Sequence, residues 1–311
     1  MPSFHPPQLG PALRRLPLLL VATAGAGVSA LMLGLIWPEA DRSEEPLRDP
    51  TPADLGVKPR RAITVLLSGS DADTVGGDGA APQGSANSDA LVLLRVNPRG
   101  PLQALALPVE LGVNVPGQER PRPLGSLYRS GGVALTADAV RELLGLGRRQ
   151  PDRYGVLPRG SLRELVERLG GVEVNPPRKM QYRDRSQKLN IQLQGGLQVV
   201  KGQGLEHMLR FRDRWLGEGQ RRLHQQLALT SVRDQMGRRE QLASLPRLVA
   251  DLHDKVETDL SQTEMLGLLA AGLDDDQPIQ FRSLPLDPPR KDQGGMRQLS
   301  ASARPPLFPA P

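Results

Sequence analysis

The order of apolar segments predicts an α/β fold: a central mixed β-sheet flanked by helices on both faces, preceded by one N-terminal transmembrane helix. Three observations lead there. Short apolar β-branched runs alternate with stretches of helical periodicity, those runs are apolar along nearly their whole length, and one uncharged segment lies near the N-terminus. Strands that are apolar at every position suit a sheet covered on both faces. The core must be aliphatic, because hydrophobic residues make up 38% of the chain and aromatic residues only 3%.

Taken in order, residues 1–15 form a short cytoplasmic N-terminus and residues 16–37 a membrane anchor. Leu16 to Trp37 carries no charge and is long enough for a bilayer core of about 30 Å. Arg14 and Arg15 precede it, and Glu39, Asp41, Glu44 and Glu45 follow, so the positive-inside rule places the remainder outside the cytoplasm. Ala22, Ala24 and Ala26 also offer spacing for signal cleavage, but the apolar run continues through Leu31, Leu33, Leu35 and Ile36. An uncleaved anchor fits that length better, and either processing route exports the rest. Residues 38–59 are rich in Pro, Asp, Glu and Arg and read as an extracytoplasmic linker. Residues 285–311 hold seven prolines, from Pro285 to Pro311, and read as a disordered tail. The folded body is therefore residues 60–284.

Within that body, strands are expected at Arg61–Leu67, Ala90–Val96 and Leu102–Leu107, with Asn97-Pro98-Arg99-Gly100 as a turn. Helices are expected at Ala137–Leu144 and Leu162–Leu169, the second with Ser161 and Glu164 in capping-box positions. Short strands follow at Val172–Val174 and Asn190–Leu193. Further helices are expected near Gly204–Arg210, Gln220–Met236, Pro246–Val256 and Glu264–Leu273, the last with a second capping box formed by Ser261 and Glu264. Ile279–Arg282 is the final strand.

Composition narrows the chemistry. There is no cysteine, which removes disulfides, thiolate metal sites and cysteine nucleophiles. The formal charge of +6 suits nucleic acid, anionic lipid or phosphate-rich ligands alike. Asp71 stands just beyond the first strand and Asp89 at the start of the next; the pair could hold one Mg²⁺, or each could cap a turn. Arg210 and Arg212 alternate, so in an extended segment both point to one side, and Arg221 and Gln225 share a helix face. With Arg222 these make four arginines around a helix start, which suit a pyrophosphate because guanidinium forks bind it bidentately; a solvated basic face is the other reading. Nucleic acid is disfavoured by the exported topology and by the presence of only Phe211 and Trp215 among the arginines. His207 and His224 match no common metal spacing, and surface positions are expected for both.

Several segments, in order, resemble the LytR-CpsA-Psr family: VLLSGSD (65–71), NSDALVLLRVNP (87–98), LALPVELGVNVPG (105–117), RELVERLGGVEVNPP (163–177), LQGGLQVVKGQGLEHMLRFRD (193–213) and EGQRRLHQQL (218–227). The resemblance implies a transferase. It would take a glycopolymer from a polyprenyl-pyrophosphate carrier, whose lipid lies in an apolar tunnel, to a cell-wall acceptor such as peptidoglycan. It implies Asp71 and Asp89 as Mg²⁺ ligands. Arg210, Arg212, Arg221 and Gln225 would bind the lipid pyrophosphate and act in catalysis, and Glu110 would stand in for a catalytic aspartate. The N-terminal anchor and exported body also suit that family, and the topology leads to the expectation of a single-pass cell-membrane protein facing the periplasm or wall, with no nucleic-acid partner.

The departures are specific. Asp73, Asn87 and Val109 stand where the family pattern has arginines, His224 replaces a further one, and Glu218 replaces an aspartate. Losing one positioned phosphate ligand can cost about a hundredfold in rate. Two functions follow: an active phosphotransferase, or a catalytically weakened relative that binds or scaffolds the lipid pyrophosphate.

Overall fold

The computed structural model describes residues 48–75, 86–185, 189–211, 217–274, 278–289 and 295–308. The expected cytoplasmic N-terminus (1–15), the anchor (16–37), the first part of the linker (38–47) and Arg212 lie outside them. Among the described residues no helix is long and apolar enough to cross a membrane.

From Pro50 onward the chain forms one compact unit. Its elements are β1 (Ile63–Ser70), β2 (Ser88–Val96), β3 (Gln103–Leu107), β4 (Gly112–Val113), β5 (Arg122–Pro123), α1 (Leu127–Leu144), β6 (Arg153–Pro158) and α2 (Arg159–Arg168). There follow β7 (Val172–Val174), β8 (Met180–Asp184), β9 (Leu189–Leu193), β10 (Gln198–Val200), α3 (Gly202–Arg210) and α4 (Gly217–Met236). The last are α5 (Arg239–Leu242), α6 (Leu245–His253), β11 (Glu257–Thr258), α7 (Gln262–Leu273) and β12 (Gln280–Ser283).

Six strands make the central sheet in the order β11-β6-β1-β2-β3-β12. β1 pairs parallel with β6 and antiparallel with β2, and β3 pairs parallel with β12, so the sheet is mixed. Consecutive residues serve opposite faces. Leu66, Leu93 and Leu105 pack with Val140 and Leu144 of α1, whereas Val65, Leu94 and Ala104 pack with Leu229 of α4 and Met265 and Leu268 of α7. This period of two explains why the runs are apolar at nearly every position: each neighbour has a core of its own.

A third cluster lies to one side of the sheet. Val166 of α2, Leu205 and Met208 of α3, and the ribbons β7–β10 and β8–β9 build it. The short strands near 172–174 and 190–193 belong to these ribbons rather than to the central sheet. Gly202 lets α3 approach α2 closely, since a Cβ there would sit 2.3 Å from the Arg163 carbonyl oxygen.

Several expectations need correction. β6 is absent from the sequence reading, although it is central; its run RYGVLP contains Gly155 and ends in Pro158, and only Val156 and Pro158 are buried in it. α1 begins well before Ala137 and contains a break at Gly131 and Gly132, whose φ is +66°. Ser161 caps nothing: α2 starts at Arg159, and the Ser161 hydroxyl donates to the Lys255 carbonyl at 2.5 Å. At α7 the expected box is present, with Ser261 accepting from the Glu264 amide at 3.2 Å. The last part of the linker is folded, because Pro52–Leu55 forms a helical turn that buries Leu55 among residues of α6 and α7. The Pro-rich tail also departs from disorder. Leu286 bridges Leu299, the Leu307 amide donates to Leu144, and Phe308 is buried in the α1-side core. Its few apolar residues outweigh its prolines, which need only surrender amide donors.

Candidate functional site

The parallel strands β1 and β6 end together, Ser70 opposite Pro158. A cleft of about 750 Å³ opens beyond those carboxyl ends, the usual place for a ligand in an α/β sheet. Gly69, Ser70 and Asp71 reach it from β1, Asp89 and Ala90 from β2, and Arg159, Leu162 and Arg163 from α2. Tyr182 and Leu189 come from the β8–β9 ribbon, Glu206, Leu209 and Arg210 from α3, and Arg221 and Gln225 from α4.

Local geometry explains how the two aspartates reach the cleft. Ser70 pairs with Ser88 and Gly69 with Ala90, so Asp89 is the extra residue of a β-bulge. Bulges re-aim side chains, and Asp89 is exposed on the cleft wall. Asp71 is held by Asn87, whose amide donates to Oδ1 at 2.8 Å and whose side chain donates to Oδ2 at 3.2 Å. Asn87, standing where the family pattern has an arginine, thus fixes a carboxylate instead of supplying a cation.

On the other side, Arg221 is 7% exposed and its guanidinium donates to the Asp89 carbonyl. Arg210 is the last residue of α3, not part of an extended segment; only Phe211 turns extended. The alternation expected for Arg210 and Arg212 therefore has no basis at Arg210. Arg210 Nη1 donates to Glu206 Oε1 at 3.1 Å.

The structure thus brings Asp71, Asp89, Arg210, Arg221 and Gln225 to one cleft. Glu110 is elsewhere: its carboxylate is shielded from solvent in a small adjoining recess that Val109, Arg221, Arg222 and Gln225 share. Val109 itself packs against the α1-side core. His224 contradicts its expected surface position, being 1% exposed and tilted against Phe211 with ring centroids 6.1 Å apart. Burial, and then the nearby Arg178 guanidinium, push its pKa below the usual imidazole value. The Met208 carbonyl approaches the ring without closing a hydrogen bond of normal geometry.

Four arginines and four carboxylates line the cleft. Leu157, Leu162, Leu189, Leu209 and Tyr182 give it an apolar flank. Sequence reasoning missed Arg159, Arg163 and Glu206. One signal was available: the first turn of α2 holds a basic residue and no acidic one, against the preference of a helix N-terminus for negative charge.

Among the described residues, no three His, Asp or Glu side chains gather as a metal cage. Two carboxylates on one cleft do fit Mg²⁺, which takes its remaining ligands from water and phosphate.

The model of the LytR_cpsA_psr family matches residues 38–303. A polyisoprenyl-teichoic acid–peptidoglycan teichoic acid transferase, TagU of Enterococcus faecalis, is 29% identical over 159 residues, which is 51% of this chain and 50% of that protein. The match thus spans half the length of this relative. The crystal structure of Bacillus subtilis TagV superposes with a TM-score of 0.64 at 18% identity, covering 78% of this chain and 93% of the other. TagT bound to LIIa-WTA superposes at 0.57 with 21% identity, over 77% and 84%. At such identities the superpositions speak to the fold.

Proposed function

The chain belongs to the LytR_cpsA_psr family, and from that premise we propose that it is a phosphotransferase of the cell envelope. Its donor is a glycopolymer on a polyprenyl-pyrophosphate carrier, and its acceptor is a hydroxyl of peptidoglycan. One observation carries this reading: Asp71, Asp89, Arg210, Arg221 and Gln225 line a single cleft beside an apolar flank. A pyrophosphate joined to a lipid needs that combination of forked cations and aliphatic surface. The relative TagU, named for such a transfer from polyisoprenyl-teichoic acid to peptidoglycan, supports it.

In this reading Arg210 and Arg221 hold the pyrophosphate oxygens, and Gln225, one turn beyond Arg221, helps to orient them. The acceptor hydroxyl attacks the glycan-side phosphorus. The bond from that phosphorus to the bridging oxygen breaks, polyprenyl phosphate leaves, and the hydroxyl proton is released to solvent at the exposed rim near Asp89. Charge on the transferring phosphate grows between fixed guanidinium groups, whose orientation costs nothing at the moment of reaction. Asp71 and Asp89 would hold Mg²⁺, which when bound neutralises phosphate charge. The uncharged run 16–37 would anchor the protein in the cell membrane, with the body on the wall or periplasmic side. Asp73 and Val109, where the pattern has arginines, favour a second reading: a lipid-pyrophosphate-binding relative with weak turnover.

Incubating the purified full chain in detergent with a polyprenyl-pyrophosphate-linked glycan, Mg²⁺ and peptidoglycan tests both. Release of polyprenyl phosphate, reduced at least a hundredfold in Arg221→Gln, is expected of the transferase. Bound lipid without release selects the weakened relative. Neither binding nor release sinks both.

A further inference from the structure

The cleft has a second cationic wall, made by the start of α2. Arg159 and Arg163 stand four apart, share one helix face and both line the cleft. Arg163 joins two carboxylates of different character: Nη1 donates to Glu206 at 2.5 Å and Nη2 to Asp73 at 2.9 Å. The Glu206 side chain is 8% exposed and also receives Arg210, so one buried carboxylate fixes a guanidinium from α2 beside one from α3. The Asp73 side chain is 66% exposed. Such an exposed partner is weakly held and exchangeable for a stronger anion. Arg159 supplies the independent observation. Its Nε is buried without a hydrogen-bond partner among the described residues, and its ion-pair distance to Asp73 is 4.0 Å, beyond hydrogen-bond reach. A buried guanidinium donor left unfilled on a cleft wall points to an acceptor from the ligand.

The backbone places Asp73 there. The amides of Arg159 and Gly160 donate to the carbonyls of Ala72 and Asp73 at 2.9 and 3.1 Å, tying the segment after β1 onto the start of α2. A Cβ at Gly160 would lie 2.3 Å from the Asp73 oxygen, so glycine is what permits this contact.

We propose that Arg159 and Arg163 bind one phosphate group of the cleft's anionic ligand, that the Asp73 carboxylate stands where an oxygen of that phosphate binds, and that Glu206 positions Arg163 against Arg210. The inference rests on reading the cleft as a pyrophosphate site and deepens it. The arginine that the family pattern has at position 73 is replaced in function by two from α2, so the carboxylate at Asp73 becomes a competitor for phosphate, not a dead substitution.

Calorimetric titration of the full chain in detergent with inorganic pyrophosphate and Mg²⁺ tests this. Arg163→Gln and Arg159→Gln should each weaken binding about tenfold, the loss of one charge-assisted contact. Asp73→Asn should tighten binding several-fold, and that gain should vanish in the Asp73→Asn/Arg163→Gln double variant. A purely structural role would move melting temperatures and leave these affinities and their coupling unchanged, which would overturn the proposal. If Arg221→Gln abolishes binding while both α2 variants bind as wild type, the second wall is wrong and the cleft reading stands. If the wild type itself does not bind pyrophosphate, both fall.

Discussion

At the scale of single residues, charge and burial decide more than residue type. His224 shows this. In the sequence it is one polar residue in a basic run, whereas in the fold it is sealed against Phe211 and Met208. Its pKa is lowered, first by burial and then by Arg178, so the folded state prefers the neutral ring. Because the folded ring resists protonation while the unfolded one accepts it, stability falls as pH drops below the unfolded value of 6.5 and on through the folded value. His224→Leu removes both the unsatisfied ring nitrogens and the titration. It should raise stability at pH 7 by about 1 kcal/mol and flatten the fall in stability below pH 6.5. Urea unfolding at a series of pH values measures both; a variant that loses stability as steeply as wild type between pH 7 and 5 contradicts the assignment. The aspartates were easier to read than the histidine. Asp71 and Asp89 sit at strand ends, and strand ends are legible from apolar runs. Arg163 was not legible, because its partner Glu206 is far off in sequence and only the close approach of α3 to α2 at Gly202 joins them.

At the scale of elements, the strongest local signals were the helix starts, and they split. Ser261 and Glu264 form the box that their spacing predicts, while Ser161 and Glu164 do not. The difference is tertiary. Glu164 is taken by Lys255 at 2.6 Å and Arg168 at 3.0 Å, and Ser161 by the Lys255 carbonyl, so that spacing serves the contact between α2 and the end of α6. Glu264 is pulled down to about 2, first by the Ser261 amide and then by Arg153 and the Ser261 hydroxyl. Its stabilisation is therefore present above the ordinary value of 4.5 and is lost as pH falls from there towards about 2. Glu264→Ala should cost about 1 kcal/mol at neutral pH, with little extra for the half-exposed Arg153 pair, and should remove that part of the acid sensitivity. Thermal melting at pH 7 and pH 3 reads it: the gap between variant and wild type should narrow at pH 3. An unchanged gap would mean the ionised carboxylate is not what caps α7.

At the scale of the molecule, export is the property on which the envelope reading depends. In the proposed topology, Arg14 and Arg15 before the uncharged run and the acidic stretch after it would leave everything beyond Pro38 outside the cytoplasm. A C-terminal fusion to a reporter enzyme that works only outside the cytoplasm should be active, and one that works only inside should be silent. The opposite pattern would remove the wall acceptor from reach. Fused at Pro311, the reporter would follow a tail that packs through Leu307 and Phe308, so a spacer after the last residue is needed to spare the α1-side core.

By itself the sequence determined the layered α/β plan, the existence of the main helices, the family pattern and the placing of Asp71 and Asp89 at strand ends, because these are carried by local periodicity and short ordered motifs. Only the tertiary structure decided that β6 runs beside β1, that Glu110 lies in a side recess, that the Pro-rich tail is packed and that α2 gives the cleft a second set of arginines. Each of these depends on contacts between residues far apart in the chain. Such contacts are set by which faces bury together, and no local spacing records them.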